Sequence, residues 1–264
     1  MEILETRDRA GLEVFLRKDP YLHFYELGDL QDKLFPNARW FVITDRGEIT
    51  AAALLYTAKE INVFYLLEDS AHEAAKELLA GISGKLPGKI YCLLSPYLMD
   101  VISEKYSFEK PVSYDKMKLT GDIFIGRNIK YPEYTYRINS NDAEAVGEFL
   151  RGINPAAFFN EGMLKTGKYF CIRKNASLLA TAGVHLYSKE YSVAAIGNVA
   201  TMPDEREKGY ATSVTASLCA DLWHDVKTIG LNVRSDNAPA IKIYQNIGFV
   251  KHSWQMEITA RKKR

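Results

Sequence analysis

The segment AAIGNVATMPDEREKGYATSVTASL (194–218) constrains this chain more than any other. An apolar strand runs into Thr201-Met202-Pro203, a charged turn follows, and Gly209 stands where a helix begins. Small or apolar residues at Ala211, Val214, Leu218 and Leu222 predict a helix that buries one face. A helix start presents unpaired backbone N–H groups and the positive end of the helix dipole, both suited to an anion. Glycine lets the backbone approach that anion closely, and Arg206 and Lys208 add positive charge. Taken alone, Gly209 could equally relieve a tight strand-to-helix turn, so the flanking sequence has to decide.

That sequence continues with a strand, LNVRSDN (231–237), and a helix, APAIKIYQNIGF (238–249). Asn237 falls at an N-cap position, where its side chain can cap the helix or reach a ligand. Tyr244 is about two helical turns further on and shares a face with Asn237. Gly248-Phe249 closes the helix with a C-cap glycine and returns an aromatic to the core. On its spacing alone, Tyr244 reads as a half-buried packing residue. Together, Arg206, Gly209, Ala211, Asn237, Ala240, Tyr244, Gly248 and Phe249 resemble the GNAT superfamily of N-acyltransferases. Its pattern is Q/R-x-x-G-x-G/A after one strand and N-x-x-A-x-x-x-Y-x-x-x-G-F after the next. The resemblance covers residues 133–258, and IGNVATMPDEREKGYAT is similar to the glycine-N-acyltransferase-like branch.

The resemblance implies an N-acetyltransferase that moves an acetyl group from acetyl-CoA to a primary amine of a small molecule or peptide. The N–H groups of Arg206, Glu207, Lys208, Gly209, Tyr210 and Ala211 would cradle the CoA pyrophosphate. The backbone of Val199 and Thr201, on a strand that splays from its neighbour, would hold the pantetheine arm, and an N–H near Val199 would polarise the thioester. Asn237 would hydrogen-bond the pantetheine, and Tyr244 would protonate the departing thiolate. Two positions depart from the pattern. Glu207 stands where glycine is common, and Val193 occupies the place of a strand glutamate that serves some members as general base. Glu161, His185 and His252 are candidate bases that the sequence does not rank. Other readings are a CoA-thioester sensor without chemistry, which the missing strand carboxylate favours and Tyr244 opposes, and an aminoacyl-tRNA-dependent transferase.

The same succession of elements is read twice, giving a mixed α/β fold with two GNAT-like lobes. KIYCLLSPYLMDVISEKYSF (89–108) echoes TIGLNVRSDNAPAIKIYQNIGF (228–249), with Ser95–Phe108 and Ser235–Phe249 spaced within one residue of each other. The expected boundaries are a first lobe at 1–120, a linker at 121–132 and an acetyltransferase domain at 133–264. In the first lobe Glu68-Asp69 stands where phosphate would sit, and like charges repel. That lobe is expected to bind no CoA and to cover the acceptor side of the other. Asn154-Pro155 is expected to open a helix through Lys165.

Composition narrows the partners. Lys plus Arg number 34 against 33 Asp plus Glu, so no overall field points to nucleic acid or an anionic membrane. Arg261-Lys262-Lys263-Arg264 reads as a solvated tail. The start MEILETRDRAGLEVF lacks the pattern of a signal peptide, and no apolar run has spanning length. A cytoplasmic protein is expected, with Cys92, Cys171 and Cys219 as buried thiols rather than a disulfide or zinc framework. No metal is required, and a homodimer is allowed.

Overall fold

The computed structural model describes residues 2–58, 61–120, 128–175 and 177–263. The chain splits into two compact units. The first comprises Met1–Lys116, Arg234–Asp236 and His252–Arg264; the second comprises Met117–Val233 and Asn237–Lys251.

The first unit opens with β1 (Glu2–Thr6) and two short helices, α1 (Arg9–Leu16) and α2 (Phe24–Asp29). Asp8 caps α1 by accepting from the Gly11 N–H at 3.1 Å. Strands β2 (Ala38–Asp45), β3 (Glu48–Ala58) and β4 (Ile61–Leu66) form antiparallel hairpins. Arg46 and Gly47, both with positive φ, make the tight turn between β2 and β3. Helix α3 (His72–Ile82) carries the chain to β5 (Lys89–Leu94), parallel to β4. Then come α4 (Met99–Lys105), β6 (Tyr106–Phe108) and β7 (Val112–Leu119). The core gathers Phe41, Leu55, Phe64, Leu66, Leu78 and Ile82 between α3 and the sheet.

The second unit repeats the order. It has β8 (Thr135–Arg137), α5 (Ala143–Ile153), β9 (Phe170–Lys174), β10 (Ser177–Ser188) and β11 (Val193–Thr201). After these come α6 (Tyr210–Trp223), β12 (Thr228–Arg234), α7 (Ala238–Ile247) and β13 (Phe249–Lys262). The strands lie in the order β12-β11-β10-β9-β8, with β11 and β12 parallel across α6. Asn139 and Asp142 form a reciprocal capping box ahead of α5. Leu150, Ile172, Val184, Ile196, Val214, Leu218, Leu231 and Phe249 share its core. The architecture is mixed α/β, with one order of elements read twice, as expected.

Several expectations are corrected. The domain expected at 133–264 does not keep its last strand: β13 begins in the second unit and ends in the first, where Met256↔Leu94 to Arg261↔Lys89 pair it with β5. Ala260↔Phe108 adds β6. Arg261 and Lys262 are therefore strand residues with exposed side chains, not a tail. Residues 121–127 of the expected linker lie outside the described residues, whereas 128–132 are fastened to the second unit, with the Lys130 and Tyr131 N–H groups donating to Ser213 Oγ. No helix opens at Asn154-Pro155. Asn154 turns the chain by accepting from the Ala156 N–H with its side chain and from the Ala157 N–H with its carbonyl. A 3-10 helix follows only at Glu161–Thr166. Helix α6 is buried on more than one face, including Ser213 and Thr215. The three cysteines are free and buried. Among the described residues no helix is long and apolar enough to cross a membrane.

Candidate active site

Strands β11 and β12 pair from Val193↔Thr228 to Ile196↔Leu231, and their register stops there among the described residues. Beyond that point β11 keeps its other neighbour, with Gly183↔Gly197, Thr181↔Ala200 and Ala180↔Thr201 on β10. One edge of Gly197–Thr201, including Val199 and Thr201, is therefore open toward β12. The cause is local. The register with β10 shifts between Thr181 and Gly183, so that Asn198 and Val199 lie opposite Ala182, and Asn198 takes a left-handed φ of 52°. Such a bulge bends its strand. Two buried oxygens near the opening, Asn232 Oδ1 and Thr201 Oγ1, have no partner among the described residues.

At the end of β11 a 3-10 turn, Pro203–Glu205, leads into the loop before α6. Glu207 and Gly209 are left-handed, at φ 64° and 83°. The Arg206 N–H donates to Pro203 O, and the next backbone donor engaged is Ser213 N–H to Gly209 O. Between them the amides from Glu207 to Thr212 have no acceptor among the described residues, and no side chain caps α6. Tyr131 steadies the loop. Its hydroxyl donates to Lys208 O at 2.8 Å and its ring meets Tyr210 edge-on, 4.8 Å between centroids. Lys208 is paired with Glu205 at 3.0 Å, which leaves the exposed Arg206 as the unpaired loop cation among the described residues.

On α7, Asn237 acts as the cap: its Oδ1 accepts from the Ala240 N–H at 3.2 Å. Tyr244 is buried against Phe249, ring centroids 6.0 Å apart, and burial holds its phenol well above the usual range. Its hydroxyl makes no hydrogen bond among the described residues.

An open strand edge beside an uncapped helix start is the geometry the sequence motif asks for, and the fold that carries it has known counterparts. Residues 174–258 match the family described as FR47-like protein. A GNAT-family acetyltransferase of Colwellia psychrerythraea is 16% identical, with 99% of this chain and 100% of that one covered at a TM-score of 0.57. A GCN5-related N-acetyltransferase of Sphaerobacter thermophilus is 13% identical, with 98% and 95% covered at 0.60. A tandem GNAT protein from the clavulanic acid biosynthesis pathway is 11% identical, with 98% of each chain covered at 0.59. No curated protein sequence matches the chain. The chain has the GNAT fold. The likeness along the whole chain is one of fold, and the family match is confined to 174–258.

Within the GNAT fold the candidate bases separate. Val193 is fully buried and apolar. Glu161 is an exposed residue at the start of the 3-10 helix. His252 belongs to the first unit, where it pairs with Asp19 at 2.8 Å. His185 lies on β10, with its ring edge directly over Gly197 of β11. Tyr131 and Asn198 escaped the sequence reading of the site, whereas Phe158 belongs to the aromatic segment Pro155-Ala156-Ala157-Phe158-Phe159 expected to wall the acceptor side. Asn198 had a usable signal, since Gly-Asn is a turn pair inside an apolar strand and such interruptions mark bulges. Tyr131 had none, because its contacts lie far along the chain.

The first unit closes the strand edge that the second leaves open. Beyond Leu66↔Leu94, the Ser95 N–H donates to Leu66 O, and Ser95 Oγ both accepts from the Glu68 N–H and donates to Glu68 O. β4 and β5 therefore stay joined. The Glu68 carboxylate itself accepts from the N–H groups of Ser70 and Ala71, at 2.8 and 3.2 Å, ahead of α3. A cleft of about 360 Å³ in this unit is lined by Asp19, Glu48, Glu68 and Asp69 against Lys18 and His23, an acidic excess that disfavours phosphate.

Proposed function

We propose that the second unit is an N-acetyltransferase that uses acetyl-CoA and a primary amine. The observation that carries this reading is the pairing, in one unit, of an unpartnered β11 edge with the unaccepted amides from Glu207 to Thr212. The open edge suits the amides of the pantetheine arm, as the unpartnered Asn232 Oδ1 suits an N–H donor. The helix start suits the pyrophosphate, with Arg206 nearby. Holding thioester and amine in line supplies much of the rate. A β11 N–H near Val199 polarises the carbonyl. Isothermal calorimetry with acetyl-CoA should give one site per chain. Screening primary amines with thiol detection should then find an acceptor. Binding without thiol release for any amine would instead support a thioester sensor.

Tyr244 donates to the departing thiolate in this reading. Burial keeps its phenol protonated across the working range, so a donor is always present. The same burial makes full proton transfer to a thiol of pKa about 8.5 uphill, and the gain is correspondingly at the low end for general acids. Tyr244→Phe retains the ring on Phe249, so thermal stability and acetyl-CoA affinity should stay near wild type. The turnover rate should fall about tenfold. Equal turnover with chemistry rate-limiting would reduce Tyr244 to a packing residue.

Glu207 shows why glycine is common at its position: the backbone there is left-handed. A carboxylate beside the pyrophosphate also opposes binding. Glu207→Gly should tighten acetyl-CoA by about fivefold at low salt, roughly 1 kcal/mol, with the gain shrinking as salt screens the charge. Strain relief and the extra freedom of glycine in the unfolded chain offset each other, so the melting temperature should barely move. An affinity that is unchanged at low salt would show the carboxylate to be turned away from the ligand.

A further inference from the structure

The β10–β11 pair carries a second bulge that the acetyl-CoA reading leaves unused. The register steps from Val184↔Ile196 to Leu186↔Ala195, so His185 is the extra residue on β10. A bulge re-aims the side chain it carries. The His185 ring is turned onto Gly197, the first residue of β11 past its last pair with β12. A Cβ on Gly197 would lie 2.4–2.5 Å from the Cδ2, Nε2 and Cε1 atoms, so only glycine leaves room for the ring. His185 Nε2 is buried and has no partner among the described residues. A buried polar atom without a partner is uncommon and asks for an explanation.

The tautomer follows from the neighbours. Asn198 stabilises the protonated ring, and Nδ1 is the ring nitrogen it can serve, since Nε2 has no partner among the described residues. The Asn198 amide nitrogen already donates to Phe158 O at 3.0 Å and to Tyr169 Oη at 2.9 Å, which uses both its protons. The amide oxygen is left to face Nδ1, and an oxygen only accepts. Nδ1 therefore carries the proton and Nε2 holds a lone pair. Asn198 keeps this post in a left-handed conformation, a strain found where function requires it. Phe158 stands edge-on to the imidazole, 6.2 Å between centroids, and is itself 58% exposed, so an incoming acceptor can move it aside.

We propose that His185 Nε2 takes the proton from the acceptor amine, and that Asn198 is the positioning residue that holds the ring in the competent tautomer. This rests on the acetyltransferase reading. The amine lone pair attacks the thioester carbonyl and forms the C–N bond. The nitrogen becomes cationic and far more acidic than a free alkylammonium, and its proton passes to Nε2. The C–S bond then breaks, and the thiolate takes a proton from Tyr244, which solvent restores as the imidazolium releases its own. Burial lowers the His185 pKa below 6.5, and no charged side chain contributes to the shift. The titratable neighbour in this network is Tyr169. Its hydroxyl donates to Val184 O at 3.0 Å, and burial keeps it neutral. The base form thus exists above the lowered pKa and is lost as pH falls through it.

The test uses the full chain with acetyl-CoA and a panel of 2-phenylethylamine, spermidine, glycine and a short peptide with a free N-terminus, followed by thiol release. With the best acceptor, wild-type kcat/KM should show an acidic limb below pH 6.5. His185→Gln should lower kcat/KM at pH 7 at least a hundredfold and abolish the limb, with acetyl-CoA affinity unchanged by calorimetry. Asn198→Asp places a carboxylate on Nδ1 and favours the imidazolium, so the limb should move to higher pH. A His185→Gln protein that keeps both rate and limb overturns the assignment and leaves the transferase standing. Wild type that binds acetyl-CoA but acetylates no amine overturns both. If His185→Gln fails to fold, the 15N shifts of the wild-type imidazole decide: an Nδ1–H tautomer supports the proposal, and an Nε2–H tautomer overturns it.

Discussion

Replacing Gly209 with valine is expected to remove detectable acetyl-CoA binding while the second unit stays folded. Gly209 holds a φ of 83°, which an L side chain adopts only under strain. A left-handed residue costs about 1–2 kcal/mol, and β-branched residues are least suited to it. A Cβ at this position would meet no protein atom within 4 Å. The substitution therefore does not collide with the fold; its methyl groups enter the open space an anion must occupy to reach the amides from Glu207 to Thr212. Losing that contact, with the loop relaxing out of its left-handed turn, should weaken acetyl-CoA by at least about a hundredfold, close to 3 kcal/mol. Calorimetry on the variant measures the loss, and its melting curve shows that the fold survived. Gly209→Ala, with the strain but a smaller obstruction, should fall between. Wild-type affinity in the valine variant would remove the pyrophosphate from this loop.

Deleting His252–Arg264 should unfold the first unit. The segment supplies a strand whose residues 256–261 pair with β5, and it buries Ile258 and Ala260 in that core. It also satisfies Lys116, which is fully buried with its Nζ reaching Gln255 Oε1 at 3.4 Å and burial pulling its pKa down to about 8. Loss of the buried isoleucine alone is worth about 2–3 kcal/mol. An unpaired strand edge and a buried lysine without its oxygen partner add several more. Together these approach the roughly 5–15 kcal/mol of a whole domain. Hydrogen exchange should show β4 and β5 losing protection, while β10 and α6 keep theirs. Acetyl-CoA binding should persist, since its groups lie in 117–251. Protected β5 amides in the truncated protein would show that the first unit holds without the strand.

What the sequence made legible was chemistry tied to short spacings. The helix start at Gly209, the Asn237 cap and the Gly248 C-cap each depend on residues a few positions apart, and the structure forms all three. Glu68-Asp69 was legible for the same reason, as two carboxylates just ahead of a helix in the place where phosphate would sit. Long-range pairings were not. Nothing in Gln255–Lys262 says which strand it joins, since alternating apolar residues suit either sheet. Tyr131 reaches Lys208 across 77 positions. His185 stood unranked among three candidate bases because its aim depends on two bulges, and a bulge leaves only a weak mark on sequence.

The path of β13 also bears on how the protein is made. Domains ordinarily fold in the order in which the ribosome releases them. Here β5 is complete at Leu94, but its neighbour begins at Met256. Roughly 160 residues, at ~5–20 per second, keep that edge uncovered for about 8–30 s of translation. An unpaired edge is a template for the wrong partner, so the unit synthesised first is the one that needs shielding longest. A nascent chain stalled in that interval can carry a finished 117–251 unit tethered to an unfinished one.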